Sequence, residues 1–232
     1  MKTMIYSDFL SMRSTLIQVA LIAVVIMLVM AFATDSLVAS SAAIVAMSPF
    51  MFLFSVSALD EQNGWERFRL ALPLSRRQVV FGRYASVLLA TAGAIAGTLA
   101  LAFAITAVAQ LISGGDPSSP LACAGYDNNP PTAILACAVM AALVILVGCS
   151  VALPLIARFG VTKASRFIPL AVVLVLAFGV GFTGEHFTAV DFLEVLESAN
   201  AVAFMTVATV LVLAIYAISA LFTVKLYEKR EL

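Results

Sequence analysis

The side chains able to do chemistry in this chain are few, and most of them sit together. From Ala58 to Arg83 runs a polar island, ALDEQNGWERFRLALPLSRRQVVFGR, which holds Asp60, Glu61, Glu66, Arg67, Arg69, Arg76, Arg77 and Arg83 between two long apolar runs. Mixed charge around a lone tryptophan reads as a docking segment for a soluble partner. The other candidates have plainer readings. His186, the only histidine, lies beside Glu185 and Asp191, but a metal site needs more nitrogen or sulfur ligands, so this is a solvated acidic loop. Gly179, Gly181 and Gly184 match G-x-G-x-x-G, yet they end an apolar run and open no βα unit, which argues against a dinucleotide site. Cys137 and Cys149 share an apolar run while Cys123 lies outside it, so they read as small apolar residues rather than a disulfide. No G-x-x-x-x-G-K-[ST] sequence is present to cradle a nucleotide phosphate.

Composition sets the class of element that must position these residues. Of 232 residues, 63% are hydrophobic and 11% charged, against about a quarter charged in soluble domains. The chain is a membrane protein. Several apolar runs reach the roughly 20 residues that cross a bilayer core of about 30 Å. They show no period-2 alternation, and in hydrocarbon a helix satisfies every backbone group within its own segment, so helices are expected over a barrel.

The expected architecture is an all-α membrane protein, one transmembrane domain over residues 1–232 with six spans at about 16–33, 37–58, 84–112, 132–153, 167–182 and 199–224. Met1 to Arg13 is short and amphipathic, with Ile5, Phe9, Met12 and Leu16 on one face and Lys2, Asp8 and Arg13 elsewhere; such a helix lies in the membrane interface. Ala31-Phe32-Ala33 imitates a signal-cleavage site. The apolar run before it exceeds a signal core, so an uncleaved first span is expected. Asp35 marks a tight turn, and Gly114, Gly115, Pro117, Pro120, Pro130 and Pro131 break the chain between the third and fourth spans. Pro154 to Arg166 reads as a short basic connection. Gly93 and Gly97 form G-x-x-x-G in the third span, a motif that serves dimerisation or ordinary packing within the chain. Met4, Met12, Met27, Met30, Met47 and Met51 read as gap fillers, or as part of a flexible apolar substrate path.

Charge then sets orientation, because loops facing the cytoplasm collect Lys and Arg near span ends. With six spans and both termini inside, all 13 basic residues fall on the inner side, while Asp35, Asp116, Asp127, Glu185, Asp191, Glu194 and Glu197 fall outside. A wrong span count would mix the two sets. The polar island is therefore expected in the cytoplasm. No ionisable residue sits in the middle of a span, which disfavours ion-driven carriers, proton channels and intramembrane enzymes, all of which hold such groups at depth. Energy for any transport must come from a partner.

Within the island, Glu61 to Leu72 fits a helix with Trp65, Phe68 and Leu72 on one stripe, suited to a partner's groove or to the headgroup level of the membrane. Leu72-Pro73 stops it. Ser75 and Gln78 have capping-box spacing for the helix that enters the third span. Arg76 and Arg77 oppose the macrodipole there, so anionic headgroups or an acidic patch on a partner must favour them.

An N-terminal amphipathic segment with Asp8, two spans, DEQNGWE, then LPLSRRQVVFGRY entering a third span, and three further spans resemble the membrane subunits of ABC-2 type transporters. The likeness is to the small bacterial permeases paired with a separate ATPase. It implies a cytoplasmic coupling helix between spans 2 and 3, formed by Asp60, Glu61, Gly64, Trp65, Glu66 and Arg67, with Leu72, Pro73, Ser75, Arg76 and Arg77 as the turn behind it. It further implies a permease of the bacterial inner membrane that dimerises and contacts membrane lipid. Two ATPase subunits would supply ATP and Mg, and the permease would export a peptide, drug or other amphipathic substrate. The chain itself would be no enzyme and hold no cofactor, and no nucleic-acid partner is expected. A non-transporting anchor that recruits a cytoplasmic partner would use the same docking segment.

Overall fold

A computed structural model of the chain describes residues 2–34, 36–62, 75–113, 125, 129–165, 167 and 201–228. Among these, 96% are helical and none is in a strand. The helices are α1 (Lys2–Ser11), α2 (Arg13–Thr34), α3 (Leu37–Gln62), α4 (Arg76–Ser113), α5 (Pro131–Phe159) and α6 (Ala201–Glu228). Five of them, α2 to α6, are long and apolar enough to cross a membrane. They correspond to the expected spans one, two, three, four and six. The expected fifth span, 167–182, lies outside the described residues except for Phe167, as does Asp35.

Two helix boundaries differ from the sequence reading, and each has a local cause. The helix of the second span does not stop at Ala58 but continues through Asp60 and Glu61 to Gln62. The helix that enters the third span begins at Arg76, directly after the expected Ser75 cap and eight residues before the apolar span, and runs for 38 residues, roughly 57 Å at about 1.5 Å per residue. Charged side chains end the apolar stretch but have good helix propensity, so the backbone continues where hydrophobicity stops.

The second difference is at Pro154, which α5 passes through to reach Phe159. Proline carries no N–H and leaves the carbonyl four residues earlier, that of Ser150, without its helical donor. The Ser219 hydroxyl of α6 donates to that Ser150 oxygen at 2.5 Å. A neighbouring helix thereby satisfies the group that proline frees, the usual condition for tolerating proline in a span.

The described helices group into two compact units, one of Met1–Val56 with Phe81–Ile145 and one of Ser57–Val80 with Leu146–Leu232. The first has a core of Ala23, Met27 and Ala31 from α2, Leu37 and Ile44 from α3, Ala102 and Ala109 from α4, and Ile134 from α5. Val45 of α3 packs with Ala138 and Ala142 of α5. Alanines at these contacts let helix backbones approach closely, which matters where lipid is as apolar as the core. In the second unit α6 buries Tyr216, Ala220, Thr223, Val224 and Tyr227 along one stripe and leaves Val207, Val210, Ile218 and Leu221 exposed. Such apolar faces suit lipid, not water.

The junction of α2 and α3 is capped across the chain. Ser36 Oγ accepts from the Val38 N–H at 3.2 Å, and the Leu37 N–H donates to Asn129 Oδ1 at 2.6 Å. Asn129 is fully buried and donates through Nδ2 to the Gly125 carbonyl at 3.1 Å. A residue just before α5 thus supplies the acceptor for an N–H at the start of α3 that has no partner within its own helix.

Candidate functional site

The polar island is described at both of its ends. Gly64, Trp65, Glu66, Arg67, Leu72 and Pro73 lie outside the described residues, whereas Asp60, Glu61, Ser75, Arg76 and Arg77 lie within them. Asp60 and Glu61 form the last turn of α3, not the start of a separate helix. Asp60 is buried. Arg77 is exposed on the first turn of α4.

The reciprocal cap expected from Ser75 and Gln78 is present. The Gln78 N–H donates to Ser75 Oγ at 3.3 Å and the Ser75 N–H donates to Gln78 Oε1 at 3.3 Å. Two of the four donors that every helix start leaves open are met in this way. The last stretch of the island is therefore a built helix start, whatever precedes it.

At the other end, Glu61 reaches across the second unit. Its Oε2 accepts from the N–H groups of Val161 at 2.7 Å and Thr162 at 3.1 Å, and its Oε1 accepts from the Thr162 hydroxyl at 2.5 Å. These donors open a helical turn at 161–165 just past α5. The residue between the two helical segments is Gly160, with φ 76°. A Cβ there would lie 3.6 Å from Glu61 Oε2, so space is adequate and the left-handed backbone is what calls for glycine. A carboxylate facing exposed N–H groups at a helix start is favoured by both hydrogen bonding and the helix dipole. Sequence reasoning placed Glu61 toward a partner and missed this role, since the two segments are about 100 residues apart.

Arg83 and Ser86, in the first unit, hold the N-terminal helix. Asp8 Oδ2 lies 3.4 Å from Arg83 Nη1 and accepts from Ser86 Oγ at 3.0 Å. The Asp8 side chain is fully buried and that of Arg83 is 12% exposed. The sequence reading set Asp8 away from the apolar face of α1; instead Met4, Asp8 and Met12, four residues apart, form the buried face, while Tyr6 and Leu10 are exposed. The reason is the partner: a carboxylate can be buried where a guanidinium meets it. Gly82 permits the approach, for a Cβ there would fall 2.8 Å from Met4 Cγ. Phe9 of α1 packs on Phe52 of α3 with ring centroids 5.1 Å apart. A lone acid at i+4 between two methionines was the available signal for this pair.

The remaining motifs can be placed where they are described. Among the described residues, a Cβ added at Gly93 or Gly97 would meet no neighbouring element within 4 Å. Both line an apolar groove of about 240 Å³ with Met12, Met51, Phe52 and Leu89. Cys137 and Cys149 are free thiols. Cys123, His186 and Gly179 to Gly184 lie outside the described residues. Among the described residues no group of His, Cys, Asp or Glu is arranged to hold a metal.

Several long apolar helices with exposed hydrocarbon faces make this a multi-pass membrane protein. The family model for ABC-2 family transporter proteins matches residues 3–228, and the chain belongs to that family. No curated protein and no solved structure matches it. It is a membrane component of a transporter, a permease.

Proposed function

We propose that this chain is the transmembrane permease subunit of an ATP-driven exporter, and that residues 60–77 are its docking segment for a separate ATPase. The observation that carries the reading is the construction of the island's flanks within a chain of this family. The polar segment leaves a helix whose last turn is tied down by Glu61, and it returns through a reciprocally capped helix start at Ser75. Asp60, Glu61, Gly64, Trp65, Glu66 and Arg67 form the coupling helix or lead into it, and Leu72, Pro73, Ser75, Arg76 and Arg77 form the turn behind it.

In this reading the chain is a single six-span domain in a bacterial inner membrane with both termini in the cytoplasm, α1 lies in the membrane interface, and two permeases meet two ATPase subunits. The permease holds no cofactor; ATP and Mg belong to the ATPase. Closure of the ATPase dimer on ATP displaces the docked segments, and the helices on either side carry that motion to the substrate path. Driving a two-state gate from 1:99 to 99:1 needs about 5.5 kcal/mol of differential binding. The substrate is a peptide, drug or other amphipathic molecule, consistent with spans that hold no charge at depth.

The test is co-purification of the tagged chain with the ATPase encoded beside it, in nanodiscs, comparing wild type with Glu66→Ala plus Arg67→Ala. Assembly or ATP turnover that depends on those two residues supports docking. A wild-type chain that binds no ATPase removes the transporter reading and leaves a membrane anchor.

A further inference from the structure

We infer that Glu61 is a positioning residue that carries movement of the docking segment to the connection following α5, rather than a contact for the ATPase. The inference rests on the docking reading above and adds to it a route by which docking acts on the chain.

Three donors from two consecutive residues converge on one carboxylate. Its two oxygens are both used, so the head group is oriented as well as held. A monodentate surface contact swivels, whereas this one resists rotation because each oxygen has its own partner. The carboxylate sits one residue from the end of α3, so any displacement of the segment that leaves α3 acts on it within less than a helical turn. On the far side, the bonded groups are backbone as well as side chain, so a pull on Glu61 moves the main chain of 161–162.

The receiving element is built to move as a piece. The Gly160 N–H donates to the Ile156 carbonyl at 2.9 Å and the Gly160 carbonyl accepts from the Ala164 N–H at 3.0 Å. Helical bonding therefore persists on both sides of a residue whose φ of 76° redirects the chain. Chain direction changes at one point between two regular segments, the arrangement of a hinge. Phe159 and Phe167, which flank it, stack with centroids 6.3 Å apart. The Glu61 carboxylate is the tie that sets where the second segment points.

The experiment places spin labels at Gln62 and Lys163, both exposed, in a chain whose three cysteines are replaced, and reads the distance in nanodiscs with the bound ATPase, without nucleotide and after trapping with ATP and vanadate. With Glu61 present the pair keeps one narrow distance in both states. Glu61→Ala broadens and shifts it on trapping while ATPase still co-purifies, and ATP turnover falls about fivefold, the lower range of couplings between distant sites. Glu61→Gln, which keeps an acceptor oxygen, restores part of the loss. Thr162→Val, which leaves Glu61 intact and removes one donor, shows a smaller loss in the same direction. Variants that match wild type in both distance and turnover overturn the inference, as does a wild-type pair that separates on trapping. A wild-type chain that captures no ATPase overturns the docking reading and the transmitting role together, so the two failures are told apart by the wild-type sample alone.

Discussion

Asp8 and Arg83 illustrate how a buried charge earns its place only through its partner. Removing either leaves the other desolvated, so Asp8→Ala or Arg83→Met should destabilise the chain by about 3 kcal/mol. Replacing both with apolar residues should recover most of that, because the desolvation cost then disappears with the attraction. Thermal unfolding in detergent checks this; singles as stable as wild type would show that the pair contributes nothing. At Gly160, φ of 76° is open to an L side chain only at a cost of roughly 1–2 kcal/mol. Gly160→Ala should lower the melting temperature accordingly, and Gly160→Asn should lower it less, since asparagine tolerates the left-handed region best.

At the scale of elements, helix ends in this chain are completed by residues far away in sequence. Glu61 caps the turn at 161, Asn129 caps α3, and Ser219 satisfies the carbonyl that Pro154 frees. Ser219→Ala should cost about 1 kcal/mol, in the range of interhelical hydrogen bonds in membranes. Combining it with Pro154→Ala should abolish that cost, because Ser150 regains an intrahelical donor. A double-mutant cycle on unfolding midpoints measures the difference, and additive effects would separate the two residues. The local cap at Ser75 was legible in the sequence, since both of its partners lie within three residues. The distant caps were not, because nothing in the spacing of Glu61 or Asn129 names a donor about 90 to 100 residues away.

For the whole molecule, the segregation of basic and acidic residues is the measurable property. Cysteines introduced singly into a cysteine-free chain and probed in cells with a membrane-impermeant reagent should label at Ser118 and Asn128 and stay protected at Gln62 and Glu231. Labelling at Glu231 with protection at Gln62 would reduce the span count to an odd number and remove the six-span topology. Protection lost at Gln62 would invert the orientation of the docking segment.

Composition and run length by themselves determined that this is a helical membrane protein and where the described spans lie. Those properties depend on transfer of side chains between water and hydrocarbon, which each residue carries with it wherever it sits. The resemblance at Asp60 to Tyr84 named the family that the match over residues 3–228 shows. What the tertiary structure alone decided was the use of individual polar groups. Asp8 is buried because Arg83 is there, and Glu61 turns toward 161–162 because the N–H groups past Gly160 are there. The helices outrun their apolar segments because a hydrogen-bonded backbone does not end where hydrophobicity does. A polar group in a largely apolar chain takes its role from whichever partner packing brings within about 3 Å, and sequence order does not encode that distance.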